Sequence, residues 1–260
     1  MIELEENFAG VNKRMKRKQS SGIVILIAAF LMIWGMPATV SLAATGATGQ
    51  ISGKVLFEGT RPKRQEIYMN KDPECARENQ GRTVYIQDGA VNANGTLPNV
   101  FIYAKSGTGS EHFPVPNKPV VLDQQGCIFV PHVLGIMTGQ TLKVLNSDFT
   151  THNVHVMPKN NPQWNMSQPP GAAPLDKKFS NPEVMIPVKC NIHPWMKAYI
   201  GVVSNPLYSV TGTSGTYTIK GVPPGKYTFE AWTATFGTQQ KTVRVRAHHT
   251  TTLNFTFHNQ

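Results

Sequence analysis

The sequence predicts an all-β protein of 260 residues, and three observations lead to this prediction. The chain is 40% hydrophobic and contains 22 Gly and 19 Pro, a composition typical of a globular protein rich in turns. Val, Ile, Thr, Tyr and Phe recur in short runs separated by turn residues. Few segments show the apolar period of a helix. Many short strands with regular turns indicate β-sandwiches.

The first 44 residues predict a targeting segment that stands apart from the fold. A basic run at 13–18 precedes an apolar run at 22–34, and small residues at 41–44 offer a cleavage site. The apolar run is shorter than the roughly 20 residues that span a bilayer, which favours a signal peptide. Residues 22–44 carry no charge, so an uncleaved membrane anchor is the alternative. In both cases we expect the rest of the chain outside the cytoplasm, in the periplasm, either free or anchored to the inner membrane.

The charge balance is basic. The formal net charge is +10, and the leader holds five Lys or Arg and three Asp or Glu, which leaves +8 for the rest. Such a balance favours an acidic partner or an anionic surface. The densest cluster is at residues 61–64, and no basic stripe alternates with aromatic residues, so we expect no nucleic-acid partner. Membrane contact is expected only through an uncleaved leader.

The three cysteines are Cys75, Cys127 and Cys190. An oxidising compartment favours pairing, and an odd number leaves one cysteine over. Cys190 is the one that lies among other metal donors, so the economical assignment is a disulfide between Cys75 and Cys127 with Cys190 as a metal thiolate. Two free thiols are the alternative, because the sequence alone does not determine the connectivity.

The strongest functional signal is the stretch 190–196. It places Cys190, His193 and Met196 at positions i, i+3 and i+6. Two soft sulfur donors with one imidazole select copper, with zinc as the main competitor. The electron-transfer copper arrangement consists of two histidines, one cysteine and a long axial methionine, so one more histidine is required.

The alternation along a predicted strand at 152–157 indicates which histidine this is. Successive residues of a strand face opposite sides. His152 shares its face with Val154 and Val156, so we expect it to point into the core, whereas His155 shares the other face with Asn153. A histidine on an apolar face is usually structural. Here it can meet the Cys/His/Met stretch, which makes His152 the candidate ligand.

These motifs resemble the cupredoxins, the small blue copper proteins. The pattern comprises NSD at 146–148, HNVH at 152–155 and CxxHPWM at 190–196, and the matching stretch runs over about 129–203. The resemblance implies a Greek-key β-sandwich with one type 1 copper ion. It also implies a ligand set of four residues: His152, Cys190, His193 and Met196. By the same resemblance, Asn153 would join the two ligand loops through backbone hydrogen bonds.

Two further stretches are expected to be loops. Residues 71–82 are polar and carry Cys75. Residues 158–174 contain five prolines and begin a long insertion that departs from the cupredoxin pattern, which leaves open how solvent reaches the site. His132 is expected to cap a turn, and a position near the site is the alternative.

The ends of the chain resemble the two halves of a carboxypeptidase regulatory-like, transthyretin-like β-sandwich. The first half includes the run at 51–62 and the second the strands at 215–257. We therefore predict a copper domain inserted into a second, split sandwich. The predicted boundaries are 1–44 for the leader, 45–108 for the first half, 109–204 for the copper domain and 205–260 for the second half. The rival arrangement is two consecutive sandwiches, with extra N-terminal strands on the first.

The predicted function is one-electron transfer with a redox protein as partner. Motifs of hydrolases, metalloproteases and phosphate-binding loops are absent from the sequence, so we expect no enzyme activity. Two alternatives remain open. One is a copper-holding or delivery protein with the same ligands, and the other is a metal-free module that binds carbohydrate or protein.

Overall fold

The computed structural model describes residues 46–259, so the predicted leader at 1–44 lies outside the described residues. Within 46–259 the chain forms seventeen strands and one short helix, which confirms the all-β prediction. The helix is α1 (Pro73–Glu78). In chain order the strands are β1 (Gly49–Glu58), β2 (Phe101–Ser106), β3 (Val120–Gln124), β4 (Phe129–Val130), β5 (Val133–Met137), β6 (Leu142–Asn146), β7 (His152–Val156), β8 (Trp164–Gln168), β9 (Leu175–Lys177), β10 (Glu183–Lys189), β11 (Lys197–Val203), β12 (Tyr208–Val210), β13 (Thr216–Val222), β14 (Gly225–Thr233), β15 (Gly237–Val245), β16 (Thr250–Thr252) and β17 (Phe255–His258).

The strands form four sheets that pack in pairs. We call the first pair the central sandwich. Its sheets have the orders β5-β11-β10-β7-β8 and β4-β3-β6-β9, and they enclose a core that includes Phe129, Val154 and Ile200. The second pair is the outer sandwich. Its sheets are β13-β1-β16, with β17 also paired to β1, and β12-β2-β14-β15, and its core includes Phe229 and Phe255.

Strand β1 joins the two ends of the chain. Gly53 pairs with Tyr217 in antiparallel β13, and Val55 pairs with Phe255 in parallel β17. The strands of the central sandwich, β3 to β11, come between these partners in sequence. This pairing supports the inserted arrangement, and the domain boundaries remain our proposal.

The two sandwiches touch through aromatic rings laid on glycines. Phe101 of β2 is fully buried and packs with Val133 and Val203 of the central sandwich. A Cβ atom added to Gly201 would lie 2.5 Å from the ring of Phe101, and one added to Gly135 would overlap the ring of Tyr208. Because interiors are close-packed, only glycine admits these rings, so the contact fixes how β5 and β11 lie against β2 and β12.

Two stretches expected to be loops contain regular structure. Residues 71–82 include α1, because Asp72 accepts from the backbone N–H groups of Glu74 and Cys75 as an N-cap and Pro73 opens the first turn. Residues 158–174 include β8, which pairs with β7 along its whole length. The prolines lie on either side of this strand, so they bound it without interrupting it.

Within 46–259, no helix is long and apolar enough to cross a bilayer.

Candidate metal centre

Strand β7 carries His152 into the core of the central sandwich. The side chains of His152, Val154 and Val156 are buried, whereas Asn153 and His155 on the opposite face are half-buried. This is the predicted alternation, and it follows from the period-2 geometry of a strand. Strands β8 and β10 flank β7 on both sides, so the backbone that carries His152 is held by two neighbours.

The stretch 190–196 is the turn between β10 and β11. Lys189 and Lys197 pair across its two ends. The turn is closed by a backbone bond from the N–H of Met196 to the carbonyl of His193 at 2.9 Å, and the N–H of His193 points to the sulfur of Cys190 at 3.4 Å. A short turn clamped by a hairpin therefore presents three donor residues of the predicted set.

Three of the four predicted ligand residues have their donor atoms together. His152 Nδ1 lies 2.9 Å from His193 Nδ1, and Cys190 Sγ lies 3.8 Å from His193 Nδ1. The side chain of His152 has no exposed area, and Cys190 and His193 are each 2% exposed. Met196, the fourth residue, is fully buried in the same core cluster as Cys190.

Each histidine is held from its far side by a carboxylate. His152 Nε2 lies 2.7 Å from Asp148 Oδ2, and His193 Nε2 lies 2.9 Å from Asp72 Oδ2. A carboxylate only accepts hydrogen bonds, so both Nε2 atoms carry the hydrogen. In the neutral rings the two Nδ1 lone pairs then face each other across 2.9 Å. Such a pair requires a cation between the nitrogens, either a proton or a metal ion.

The pKa shifts of the cluster also favour a cation between the two imidazoles. Burial by itself would raise the pKa of the Cys190 thiol, but hydrogen bonds with His152 and His193 lower this pKa to about 5. Burial would lower the pKa of His152, but hydrogen bonds with Asp148 and Cys190 raise it to about 9. At neutral pH these shifts favour a thiolate beside a protonated imidazole, and a metal ion bound at the same donors would take the place of that proton.

The spacing of the donors fits one metal ion. Metal ligand distances are about 2.0 Å for imidazole nitrogen and about 2.3 Å for thiolate sulfur, so two donors of one ion lie at most about 4 Å apart. The separations of 2.9 Å between the two Nδ1 atoms and 3.8 Å between Cys190 Sγ and His193 Nδ1 fall inside this limit, and all three donors lie within 4.8 Å of one another. Buried sulfur and imidazole donors suit copper or zinc and exclude the oxygen-seeking calcium and magnesium.

Asn153 connects the two ligand segments. Its backbone N–H points to Cys190 Sγ at 3.4 Å, and its side-chain carbonyl accepts from the N–H of Asn191 at 3.1 Å. The first contact uses the backbone N–H of Asn153, and the second uses its side chain and the backbone N–H of Asn191. Both contacts fix the sulfur relative to β7.

A disulfide joins Cys75 of α1 to Cys127, and Cys190 is free. Cys75 Sγ lies 3.8 Å from His193 Nε2, so this bridge packs directly beside the histidine. The indole N–H of Trp195 donates to the carbonyl of Cys127 at 2.9 Å, which ties the ligand turn to the same place. We call residues 72–79, with this disulfide, the cap.

Sequence reasoning missed the two carboxylates. Asp148 precedes His152 by four residues and belongs to the quoted NSD motif, so its position was a usable signal. Asp72 gives no such signal, because it is 121 residues from His193. His132 also differs from expectation. It is a buried junction residue that lies 2.9 Å from Asp88 and 3.0 Å from the carbonyl of Lys197, and it does not cap a turn.

Comparisons with known proteins found one family match and partial matches to solved structures. Residues 197–258 match the carboxypeptidase regulatory-like domain family. A search of curated proteins found no match. Three similar solved structures are a copper-containing nitrite reductase from Thermus scotoductus SA-01, a Cu(I) form of an amicyanin mutant, and a purple cupredoxin from Nitrosopumilus maritimus.

The three structural matches are partial. Sequence identity is 24% to the nitrite reductase, 18% to the amicyanin and 21% to the purple cupredoxin, with TM-scores of 0.30, 0.30 and 0.26. They cover 36%, 39% and 29% of this chain and 25%, 98% and 82% of the respective structures. The chain thus spans a quarter of the nitrite reductase and nearly all of the amicyanin.

Proposed function

We propose that the protein is an exported type 1 copper protein that transfers single electrons. One copper ion would be held by His152, Cys190 and His193, with Met196 as the weak axial ligand. The observation that carries the proposal is the pair of opposed Nδ1 atoms, 2.9 Å apart, with a thiolate sulfur beside them. The donor types match the blue-copper set of two imidazoles, a thiolate and a thioether.

The surroundings of the cluster suit electron transfer. When bound, copper supplies a single-electron redox couple. The chain contributes a rigid frame, because β7 is flanked by two strands and the ligand turn is closed by its own hairpin. A frame that does not rearrange serves both oxidation states, and burial of the donors in an apolar core sets the potential. The same burial leaves a substrate no access to the ion, so we propose a carrier and not an enzyme.

The location and partner are also part of the proposal. The disulfide between Cys75 and Cys127 supports an oxidising, extracytoplasmic compartment such as the periplasm. The charge of +8 outside the leader favours a redox protein with an acidic docking face.

The first test is spectroscopic. The purified protein is titrated with Cu(II), and an intense visible thiolate-to-copper band is expected at one equivalent. Cys190→Ser should lose the band. His155→Ala is the matched control, because His155 lies on the same strand but on the opposite face, and it should keep the band. A wild-type protein that binds Cu(II) without this band would refute the type 1 site, and one that binds no copper would favour the metal-free module.

A copper-holding role is the second candidate, and one observation favours it. Both imidazoles are buried, and the outer edge of His193 is covered by Asp72 and Cys75, so no ligand edge reaches solvent for a partner. Voltammetry separates the two roles. Reversible one-electron exchange supports the carrier, whereas slow electrode kinetics together with copper retained against a chelator would support the holding role.

A further inference from the structure

The most informative contact outside the ligand set is the one between Asp72 and His193. Asp72 belongs to the segment between β1 and β2, whereas His193 lies in the ligand turn of the central sandwich. The 2.9 Å contact therefore links a segment outside the central sandwich to a proposed ligand.

The carboxylate of Asp72 is held in place by its own helix. Oδ1 accepts from the N–H groups of Glu74 at 2.9 Å and Cys75 at 3.0 Å, and Oδ2 faces His193. Oδ1 therefore caps the helix, and Oδ2 contacts the imidazole of His193. Because Oδ1 is engaged with the backbone, Oδ2 cannot swing away from the imidazole without breaking the N-cap.

The helix itself is fixed to the central sandwich. The disulfide ties Cys75 to Cys127, and the side-chain amide of Asn79 donates to the carbonyl of Gly126 at 3.0 Å. Glu78 accepts from the N–H of Phe149 at 2.8 Å. These three attachments hold the cap against the loops on which Cys127 and Asp148 lie. The position of Asp72 is therefore set by the cap and not by the ligand turn.

A fixed carboxylate on the outer nitrogen has two consequences for a metal at the inner nitrogen. It keeps the hydrogen on Nε2, which orients the ring and leaves the Nδ1 lone pair for the metal, and it makes that nitrogen a better donor. Its negative charge also stabilises Cu(II) more than Cu(I), because the attraction grows with the charge of the ion. Both effects favour the oxidised centre.

We propose that Asp72 is a positioning residue that orients His193 and lowers the reduction potential of the copper centre. This inference rests on the proposed function. It adds that part of the tuning comes from the cap, which belongs to neither ligand segment. The cap, with its disulfide, is then a component of the redox centre.

The test compares three variants by the potential of the copper-loaded protein. Asp72→Ser keeps an N-cap oxygen but is too short to reach the imidazole, and Asp72→Asn keeps the cap and the shape but removes the charge. Glu74→Gln is the matched control, because it removes a charge from the same helix through a residue whose partner is Arg77.

Both Asp72 variants should lose about tenfold in Cu(II) affinity relative to Cu(I), in line with the loss of an outer partner of a ligand. For a one-electron couple this is a rise of about 59 mV in potential. The Glu74→Gln protein should differ from wild type by less than about a third of that.

The outcomes separate this inference from the function on which it rests. If the wild-type protein shows no thiolate-to-copper band, the function fails and the inference with it. If the band is present in all four proteins and the Asp72 variants shift no more than Glu74→Gln, only the inference is overturned. If Asp72→Ser does not fold, Asp72→Asn decides the question, because asparagine is as good an N-cap as aspartate.

Discussion

The side chain of His132 lies 2.9 Å from the carboxylate of Asp88, although 44 residues separate them. Asp88 lies between β1 and β2, whereas His132 lies between β4 and β5 of the central sandwich. The hydroxyl of Tyr199 in β11 donates to the other carboxylate oxygen at 3.2 Å. The carboxylate of Asp88 therefore joins the segment that precedes the central sandwich to two residues of that sandwich, His132 and Tyr199.

This junction predicts a loss of stability in acid. Burial raises the pKa of Asp88, but the hydrogen bonds from His132 and Tyr199 outweigh this, so its pKa is lowered from 3.8. A carboxyl with a lowered folded-state pKa stabilises the fold above its unfolded pKa. The contribution disappears as the pH falls through the folded-state value. Asp88→Asn should cost about 1–2 kcal/mol at neutral pH and flatten the stability curve below about pH 4.

Urea unfolding at several pH values measures this effect. Asp176→Asn is the control, because Asp176 is 58% exposed in its ion pair with Lys143 and such pairs contribute little. If Asp88→Asn and the wild type have parallel stability curves from neutral to acid pH, the carboxylate does not carry the junction.

The disulfide of the cap predicts a second change in stability. Cys75 and Cys127 are 52 residues apart. Closing a loop of this size in the unfolded chain stabilises the folded state by about 4 kcal/mol in the chain-entropy model. Cys75→Ala combined with Cys127→Ala should lower the free energy of unfolding by about this amount. The measurement is urea unfolding without reductant.

Reduction of the wild type serves as the control for that variant. With dithiothreitol the wild type should unfold near the midpoint of the double variant. A midpoint that reductant leaves unchanged, with three free thiols and not one detected in the unfolded, unreduced protein, would show that the two sulfurs are not joined.

A glycine in β1 provides a test of the domain order. A Cβ atom at Gly53 would overlap the carbonyl of Leu253 and lie 3.0 Å from the ring of Tyr217. Forcing a methyl group into such a site costs about 1–3 kcal/mol. Gly53→Ala should therefore weaken the outer sandwich, and hydrogen exchange should speed up in β1, β13 and β17 before it does in β7 and β10.

Gly212→Ala is the matched substitution, because nothing lies within 4 Å of the added Cβ atom. It should leave the exchange pattern unchanged. If Gly53→Ala instead exposes β7 and β10 first, residues 49–58 cooperate with the central sandwich, and the consecutive arrangement is favoured.

The features that the sequence predicted well are those set by local chemistry. The alternation of His152, Val154 and Val156 correctly predicted which face of β7 is buried. Cys190 and His193 are three residues apart in one short turn, and their donor atoms lie close together because a turn of this length cannot separate them. Both depend on neighbouring residues and elementary strand geometry.

The features that escaped prediction depend on distant contacts. Asp72 reaches His193 because the disulfide and the hydrogen bonds of Asn79 and Glu78 dock α1 over the ligand turn, and no local pattern encodes that docking. Strand β8 was hidden for a different reason. The prolines around it are strong turn signals, and they outweigh the weak alternation of Trp164, Met166 and Gln168.

The cluster of His152, Cys190 and His193 predicts that a bound metal ion stabilises the folded protein, independently of any redox chemistry. A metal held at a hundredfold excess over its dissociation constant should raise the free energy of unfolding by about 2.7 kcal/mol. Zn²⁺ is the suitable probe, because it accepts the same donors and has no redox chemistry. Cys190→Ala should lose the stabilisation, since only two imidazoles and the weakly binding thioether of Met196 remain, whereas His155→Ala should keep it. The measurement is urea unfolding with and without the ion.

The contrary outcome has a specific meaning in this structure. Asp72 and Asp148 lie beside the two histidines, and each carboxylate with its neighbouring imidazole is an alternative donor pair, since the cysteines next to them are held in the disulfide. If Zn²⁺ stabilises Cys190→Ala as strongly as the wild type, the ion binds through these carboxylates and the Nε2 atoms. The thiolate would then not be a ligand, and the arrangement of two inward Nδ1 atoms around one ion would be wrong.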